Sequence, residues 1–279
     1  MIFDFRGCSI DFTSVSPVLM AIMNVTPDSF HDGGKLYHKA DMAVEHARRM
    51  IEQGAKIIDI GGESTRPGAA AVSADEEMDR VMPVVELLMK EFGDSVVLSV
   101  DTMKPSVAAA VLDAGVQIVN DVSGLTDDML DVLIKHHCPC YVLTDPGYDK
   151  PVGCADTDIN QSLLPDMSDR FMKKISVLNN AGISQIMVDP GFGFCKTLAD
   201  NYYILNNLDF FTRLRLPILA GISHKSMIYK VLPEHADTTG ATLVLDAIAV
   251  QKGASVLRVH DVEPHSNILR VLDSLHKYN

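Results

Sequence analysis

Behind each of eight short apolar runs, this sequence places groups that can hydrogen-bond or carry charge. In chain order they are Asn24, Gly61-Gly-Glu-Ser-Thr-Arg-Pro-Gly68, Asp101-Thr102, Asn120-Asp121, Thr144-Asp145, Asp189-Pro-Gly191, Ser223-His-Lys-Ser226 and Arg258-Val-His-Asp261. A single Asp or Asn at such a place is commonly a helix cap. Caps, however, do not require Arg66, Lys225, Arg258 and His260. Asp101, Asn120 and Asp189 offer acceptors and an amide, which suit a flat heterocycle carrying N–H donors along one edge. Lys225 offers a compact charge for a ring carbonyl or a carboxylate. Arg66, Arg258 and His260 suit phosphate oxygens, which Arg grips bidentately. Asn24 offers a hard oxygen ligand to a magnesium ion held also by substrate phosphates. Ser226 opens a predicted helix whose N–H end could take an anion.

These groups need a frame that brings them together. The eight runs are Val18–Met23, Lys56–Ile60, Val96–Val100, Gln117–Val119, Cys140–Leu143, Gln185–Val188, Pro217–Ile222 and Ser255–Val259. Their short apolar cores read as strands buried on both faces, as in a parallel sheet. Helical patterns separate them: Asp41–Gln53 before Gly54, a helix opened by the capping box Ser73-Ala-Asp-Glu76, Pro105–Ala114 before Gly115, and Asp127–Lys135. Further helices are predicted over Asp166–Asn180, Asp200–Phe211, Ser226–Leu232, Ala241–Gln251 and Ser266–His276, with a kink at Pro83. Eight strands, each followed by a helix, predict an α/β fold, a single (β/α)8 TIM barrel over residues 1–279, with a doubly wound sheet as the alternative. In such a barrel the strand C-termini form the active-site mouth, where the polar groups fall. Residues 1–16 read as an N-terminal lead-in that plugs the barrel bottom.

A chain of 279 residues with 47% hydrophobic and 22% charged residues has enough core to fold without disulfides or structural metal. Its net charge of −13 argues against nucleic acid or anionic membrane surfaces as partners. The five cysteines are odd in number, and Cys138-Pro-Cys140 lacks a second half for zinc, so they read as reduced thiols. The absence of a signal-peptide pattern and of a long apolar stretch predicts a cytoplasmic protein. His136 and His137 precede the fifth strand and read as surface or packing residues, and the 14 Met as core filler.

The motifs resemble those of dihydropteroate synthases. Met23-Asn-Val-Thr-Pro-Asp-Ser-Phe30 with Asp32-Gly-Gly34, and Asp59-Ile-Gly-Gly-Glu-Ser-Thr-Arg-Pro-Gly68, look like that family's first two signatures. Ser99-Val-Asp-Thr102, Asn120-Asp121, Asp189-Pro-Gly-Phe-Gly193 with Lys196-Thr197, and Arg258-Val-His-Asp-Val262 follow in family order. The resemblance covers residues 18–262. It implies condensation of 6-hydroxymethyl-7,8-dihydropterin pyrophosphate with p-aminobenzoate, giving 7,8-dihydropteroate and pyrophosphate in folate biosynthesis. It implies that Asp101, Asn120, Asp189 and Lys225 hold the pterin, and that Asn24, Arg258 and His260 hold the pyrophosphate with Mg2+ bridging. Thr65, Arg66 and Pro67 would lie on a mobile loop that closes, with 24–34, over the second substrate, and Phe194 and Ser226 would contact p-aminobenzoate. A homodimer through C-terminal helices is also implied. The family reaction needs no enzyme nucleophile, in keeping with a sequence that shows no Ser–His pair or reactive Cys at a strand end.

Two places depart from the family pattern. After the fifth strand, where a Met-His stretch is usual, the chain has Thr144-Asp-Pro-Gly147. After the seventh, where Ser-Arg-Lys is usual, it has Ser223-His224-Lys225. His224 either makes binding of the acidic second substrate pH-dependent or only fills surface beside Lys225. The departures motivate a second reading, a non-catalytic pterin-binding homologue. A third is a methyltetrahydrofolate–corrinoid methyltransferase, which would need neither Glu63–Gly68 nor Arg258 with His260.

Overall fold

The computed structural model describes residues 1–13, 16–25, 36–63, 72–148 and 156–278. A hairpin of β1 (Ile2–Phe5) and β2 (Cys8–Asp11) comes first. The barrel strands follow: β3 (Val18–Asn24), β4 (Ile57–Gly61), β5 (Val97–Asp101), β6 (Ile118–Asp121), β7 (Cys140–Thr144), β8 (Ile186–Asp189), β9 (Leu219–Ala220) and β10 (Val256–Val259). All are parallel, in the order β8-β7-β6-β5-β4-β3-β10-β9. A parallel bridge from Val188 to Ile218, with Val188 N donating to Pro217 O at 2.9 Å, joins the two ends. The expected (β/α)8 barrel is the observed fold.

Around the strands lie α1 (Leu36–Glu52), α2 (Ala74–Phe92), α3 (Pro105–Asp113), α4 (Asp127–Lys135) and α5 (Leu163–Asn180). The rest are α6 (Leu198–Asn206), α7 (Ser226–Tyr229), α8 (Thr239–Gln251) and α9 (Val262–Lys277). α2 runs through Pro83 as one helix. Only half of its capping box forms: Ser73 accepts from Glu76 N, while the Glu76 carboxylate pairs with Arg80. The reciprocal box is found instead at Thr197 and Asp200, which starts α6 earlier than expected. That helix gives way to a 3-10 segment at Leu208–Leu214. The helix expected over Ser226–Leu232 shrinks to the single turn of α7. His136 is tied to Asp113 at 2.6 Å, on the outer surface as expected.

Alternation along the strands divides the core into two layers. Leu19, Ile58, Leu98, Tyr141, Ile186 and Leu257 belong to the layer beneath the helices. Met20, Ile57, Val97, Ile118, Cys140 and Val256 point inward at the barrel floor. Phe3, Phe5, Ile10 and Phe12 of the hairpin pack in that same floor cluster, Phe3 meeting Phe12 edge-on at 5.0 Å. Burying side chains of this size contributes about 1.5–3 kcal/mol each. Gln185 fastens the hairpin by donating to Asp4 O at 3.0 Å and Pro139 O at 2.7 Å.

Candidate active site

Toward the strand C-termini the inward positions change character. The same alternation that buries Ile57, Val97 and Ile118 at the floor brings Asp59, Ser99 and Asn120 inward above them. Asp101, Thr144, Asp189, Ser223, Arg258 and His260 complete the mouth. A polar ring on an apolar plug is what fixes the site at this end.

Arg258 is the hub. Its Nε donates to Asp59 Oδ2 at 2.6 Å and its Nη2 to Asp101 Oδ2 at 2.6 Å. Asp59 is fully buried and also accepts from Ser99 Oγ at 2.6 Å and Asn120 Nδ2 at 3.0 Å. Asp59 therefore aligns three mouth residues at once. In the sequence Asp59 lies inside a motif and carries no expected role; its signal is a carboxylate in the otherwise apolar run Ile57-Ile-Asp-Ile60. Burial works against the Arg258 charge, but Asp59 and Asp101 outweigh it and hold its pKa above the ordinary value.

Burial pushes the Asp101 carboxyl up to about 7, against the pull of Arg258 and with help from the Asp59 charge. Asp189 is likewise raised by burial, with Lys225 and Arg258 opposing. Burial lowers Lys225 to about 8, against the attraction of Asp189. The mouth thus holds two carboxyls, Asp101 and Asp189, and one ammonium, Lys225, whose charged forms burial disfavours, beside Arg258, whose charge its partners secure.

Lys225 donates to Phe192 O, and its Nζ lies 4.3 Å from the Phe194 ring centroid, in cation–π range. It crosses Gly193, where an added Cβ would stand 3.2 Å from Lys225 Cδ and φ is +84°. A side chain there would push the ammonium aside. Lys196, buried and unassigned from sequence, holds the same loop from below. Its Nζ donates to Gly191 O at 3.0 Å, Asp145 O at 3.2 Å and Phe194 O at 3.3 Å, and faces Asp145 Oδ1 at 3.4 Å. Asp145, from the first departure, also takes Arg170 Nε at 2.8 Å.

A Ser–His pair does exist at the strand ends, contrary to the sequence expectation. Ser223 Oγ lies 2.9 Å from His260 Nδ1 and accepts from His260 N at 3.3 Å. The two residues are 37 apart in sequence but end neighbouring strands. This arrangement turns the imidazole rather than arming a nucleophile, because Ser223 is buried and already engaged twice. His224, the second departure, bridges Thr238 Oγ1 at 2.6 Å and Asp261 Oδ2 at 2.7 Å, and its ring meets that of His260 at 5.3 Å. It is a tie between β9 and β10, not surface filler.

Asp101, Asn120, Asp189, Lys225, Phe194, Arg258 and His260 therefore gather at one mouth. Asn24 sits half-buried on β3, its Oδ1 3.5 Å from where a Gly61 Cβ would be. Ser226 is exposed at the first residue of a single turn, too short to carry the helix-end field expected of it. Thr65, Arg66 and Pro67 lie outside the described residues, as does most of 24–34. The base of their loop is described: Glu63 accepts from Val72 N at 3.1 Å and pairs with Lys104, which also pairs with the buried Glu77.

A model of the family described as pterin binding enzyme matches residues 20–260, a span that contains all of these groups. The dihydropteroate synthase of Bacillus subtilis is 44% identical over 266 residues, covering 92% of this chain and 88% of that one. The chain belongs to the dihydropteroate synthase family of pterin-binding enzymes. Among solved members, the Xanthomonas albilineans dihydropteroate synthase with 4-aminobenzoic acid superposes with a TM-score of 0.85 at 37% identity, covering 99% of this chain and 98% of that one. The Yersinia pestis dihydropteroate synthase in a sulfonamide drug complex gives 0.84 at 38%, covering 99% and 100%. Among the described residues, no helix is long and apolar enough to cross a membrane.

Proposed function

We propose that this chain is a transferase of folate biosynthesis. It condenses 6-hydroxymethyl-7,8-dihydropterin pyrophosphate with p-aminobenzoate, releasing 7,8-dihydropteroate and pyrophosphate. The observation that carries this reading is the Asp59–Arg258–Asp101 bridge: it sets a cation beside an acceptor wall in one buried mouth. The pterin's N–H edge pairs with Asp101 and Asp189, and Asn120 Oδ1, which has no partner among the described residues, takes one more donor. Lys225 lies over the Phe194 face, where it meets the ring carbonyl from one side and the second substrate from the other.

The C–O bond between the pterin methylene and the diphosphate breaks, and its electron pair leaves with the diphosphate. The lone pair of the arylamine closes on the methylene, and the amine proton passes to solvent. Arg258 Nη1, outside its two carboxylate bonds, and His260 stabilise the departing charge by preorganised electrostatics. Ser223 holds the His260 ring for that purpose.

Magnesium fits this donor set only as a companion of the diphosphate. Among the described residues no group of three or more His, Cys, Asp or Glu converges to hold a metal. Asn24 Oδ1 would supply one hard ligand and the substrate oxygens the others; when bound, the ion would neutralise charge on the leaving group. A cytoplasmic homodimer completes the reading, its interface formed by the exposed Val244 of α8 with Val271 and Leu275 of α9. Sulfonamides, which share the arylamine and acidic group of p-aminobenzoate, compete at Lys225 and Phe194.

Incubation with dihydropterin pyrophosphate, magnesium and ring-labelled p-aminobenzoate tests the reading. Label appearing in a pteroate product supports it; unreacted label beside a bound pterin would leave the non-catalytic homologue.

A further inference from the structure

β7 ends in Thr144, which the reaction as described does not use. Alternation fixes its direction. Val142 points into the floor cluster, whereas Tyr141 and Leu143 pack under the helices, so Thr144 continues the inward series. Its parallel partner on β8 is Asp189, and on β6 Asn120 pairs with Val142, one inward step below. Thr144 is 1% exposed, and its hydroxyl has no hydrogen-bond partner among the described residues. Three neighbouring strands thus present two buried oxygens without partners, Asn120 Oδ1 and Thr144 Oγ1, around the Asp189 carboxylate.

A buried hydroxyl without a partner is a net cost that valine, of similar volume, would avoid. The strand end is pinned, so the side chain has no easy way to turn out. Asp145 N donates to Asp189 O at 2.8 Å, and the Asp145 carboxylate is held by Arg170 and Lys196. A ligand entering the mouth is the partner that geometry leaves. A hydroxyl both donates and accepts, so it can meet a protonated or an unprotonated ring nitrogen.

We propose that Thr144 is a specificity-determining contact of this chain, its hydroxyl hydrogen-bonding a nitrogen on the heterocycle edge held by Asn120 and Asp189. The proposal rests on the mouth being a pterin site.

Calorimetric titration of 6-hydroxymethyl-7,8-dihydropterin into the wild type, Thr144→Val, Thr144→Met and Thr144→Ser tests it. Loss of the hydroxyl in Val and Met weakens binding by about fivefold, and Ser stays within about twofold of wild type. The thermal midpoint of ligand-free Thr144→Val equals or exceeds that of the wild type, since an unsatisfied group is removed; a merely structural threonine would lower it. Wild-type affinity in both Val and Met overturns the contact while leaving the pterin site standing. No binding by the wild type itself overturns the pterin reading and the contact with it.

Discussion

Arg258 and Asp59 are joined at 2.6 Å at the base of the mouth, although 199 residues separate them in the chain. Asp59 is fully buried, and with Asp101 it holds the guanidinium by two bonds of 2.6 Å. Asp59→Asn removes one of the two carboxylate charges that balance Arg258. It is expected to cost about 3–5 kcal/mol of stability, the usual loss when a buried pair is broken. Arg258→Lys keeps a charge but cannot span both carboxylates, and kcat/KM for the pterin substrate is expected to fall by roughly a hundredfold. Urea unfolding of the first and steady-state kinetics of the second check the two effects.

The pH dependence follows from opposite shifts. Asp101, pushed up to about 7, offers both oxygens as acceptors, and the negative charge that strengthens them, only when ionised, above that value. Lys225, lowered to about 8, is charged only below that value. A bell-shaped kcat/KM profile with its maximum between about 7 and 8 is expected. The stability signs run the other way. The raised Asp101 contributes stability below its ordinary 3.8 that is lost as pH rises through about 7. The lowered Lys225 contributes stability above its ordinary 10.5 that is lost as pH falls through about 8. Both groups weaken the ligand-free fold in the window where they serve the substrate. A profile flat from 6 to 9 would contradict these roles.

Lys196→Met removes the ammonium from the Asp145, Gly191 and Phe194 carbonyls, of which Gly191 O keeps Phe194 N as a donor, and from part of the Asp145 charge. A loss of about 3–5 kcal/mol is expected, since a charged partner is removed from a buried set. The loop it holds carries Phe194, so KM for p-aminobenzoate should rise more than kcat falls. Thermal melts and separate KM determinations for the two substrates distinguish the parts.

His224→Ala cuts the tie from Thr238 to Asp261 and removes the ring beside His260. We expect about 1–2 kcal/mol lower stability. His224→Arg restores the family residue and can still reach Asp261, so it should retain near wild-type activity. A large loss in His224→Arg would show that the imidazole itself is required.

The strands were legible because parallel strands buried on both faces leave short, mostly apolar runs, and the polar residue after each run marked the mouth. The helix expected over Asp127–Lys135 is α4 at the same bounds, and Thr126 caps its start by accepting from Met129 N. What sequence could not show were pairings across strands. Ser223 meets His260 only because barrel closure sets β9 beside β10, and Arg258 meets Asp59 only because it sets β10 beside β3, one strand from the β4 that carries Asp59. Asp59 was hidden inside a strand read as apolar, and Lys196 inside a loop motif. Their work is to hold other residues, which leaves no local pattern. The helix at Ser226 was overestimated because apolar residues through Leu232 imitate helical spacing, while the chain turns after Tyr229.

The central claim is that this mouth joins an arylamine to a pterin methylene at the expense of pyrophosphate. Its most direct test is pyrophosphate release by the purified protein with dihydropterin pyrophosphate and magnesium, with and without p-aminobenzoate, beside Asp101→Asn. The account predicts release that requires p-aminobenzoate and falls by at least about a hundredfold in the variant. Release independent of p-aminobenzoate, or undiminished in Asp101→Asn, would contradict it.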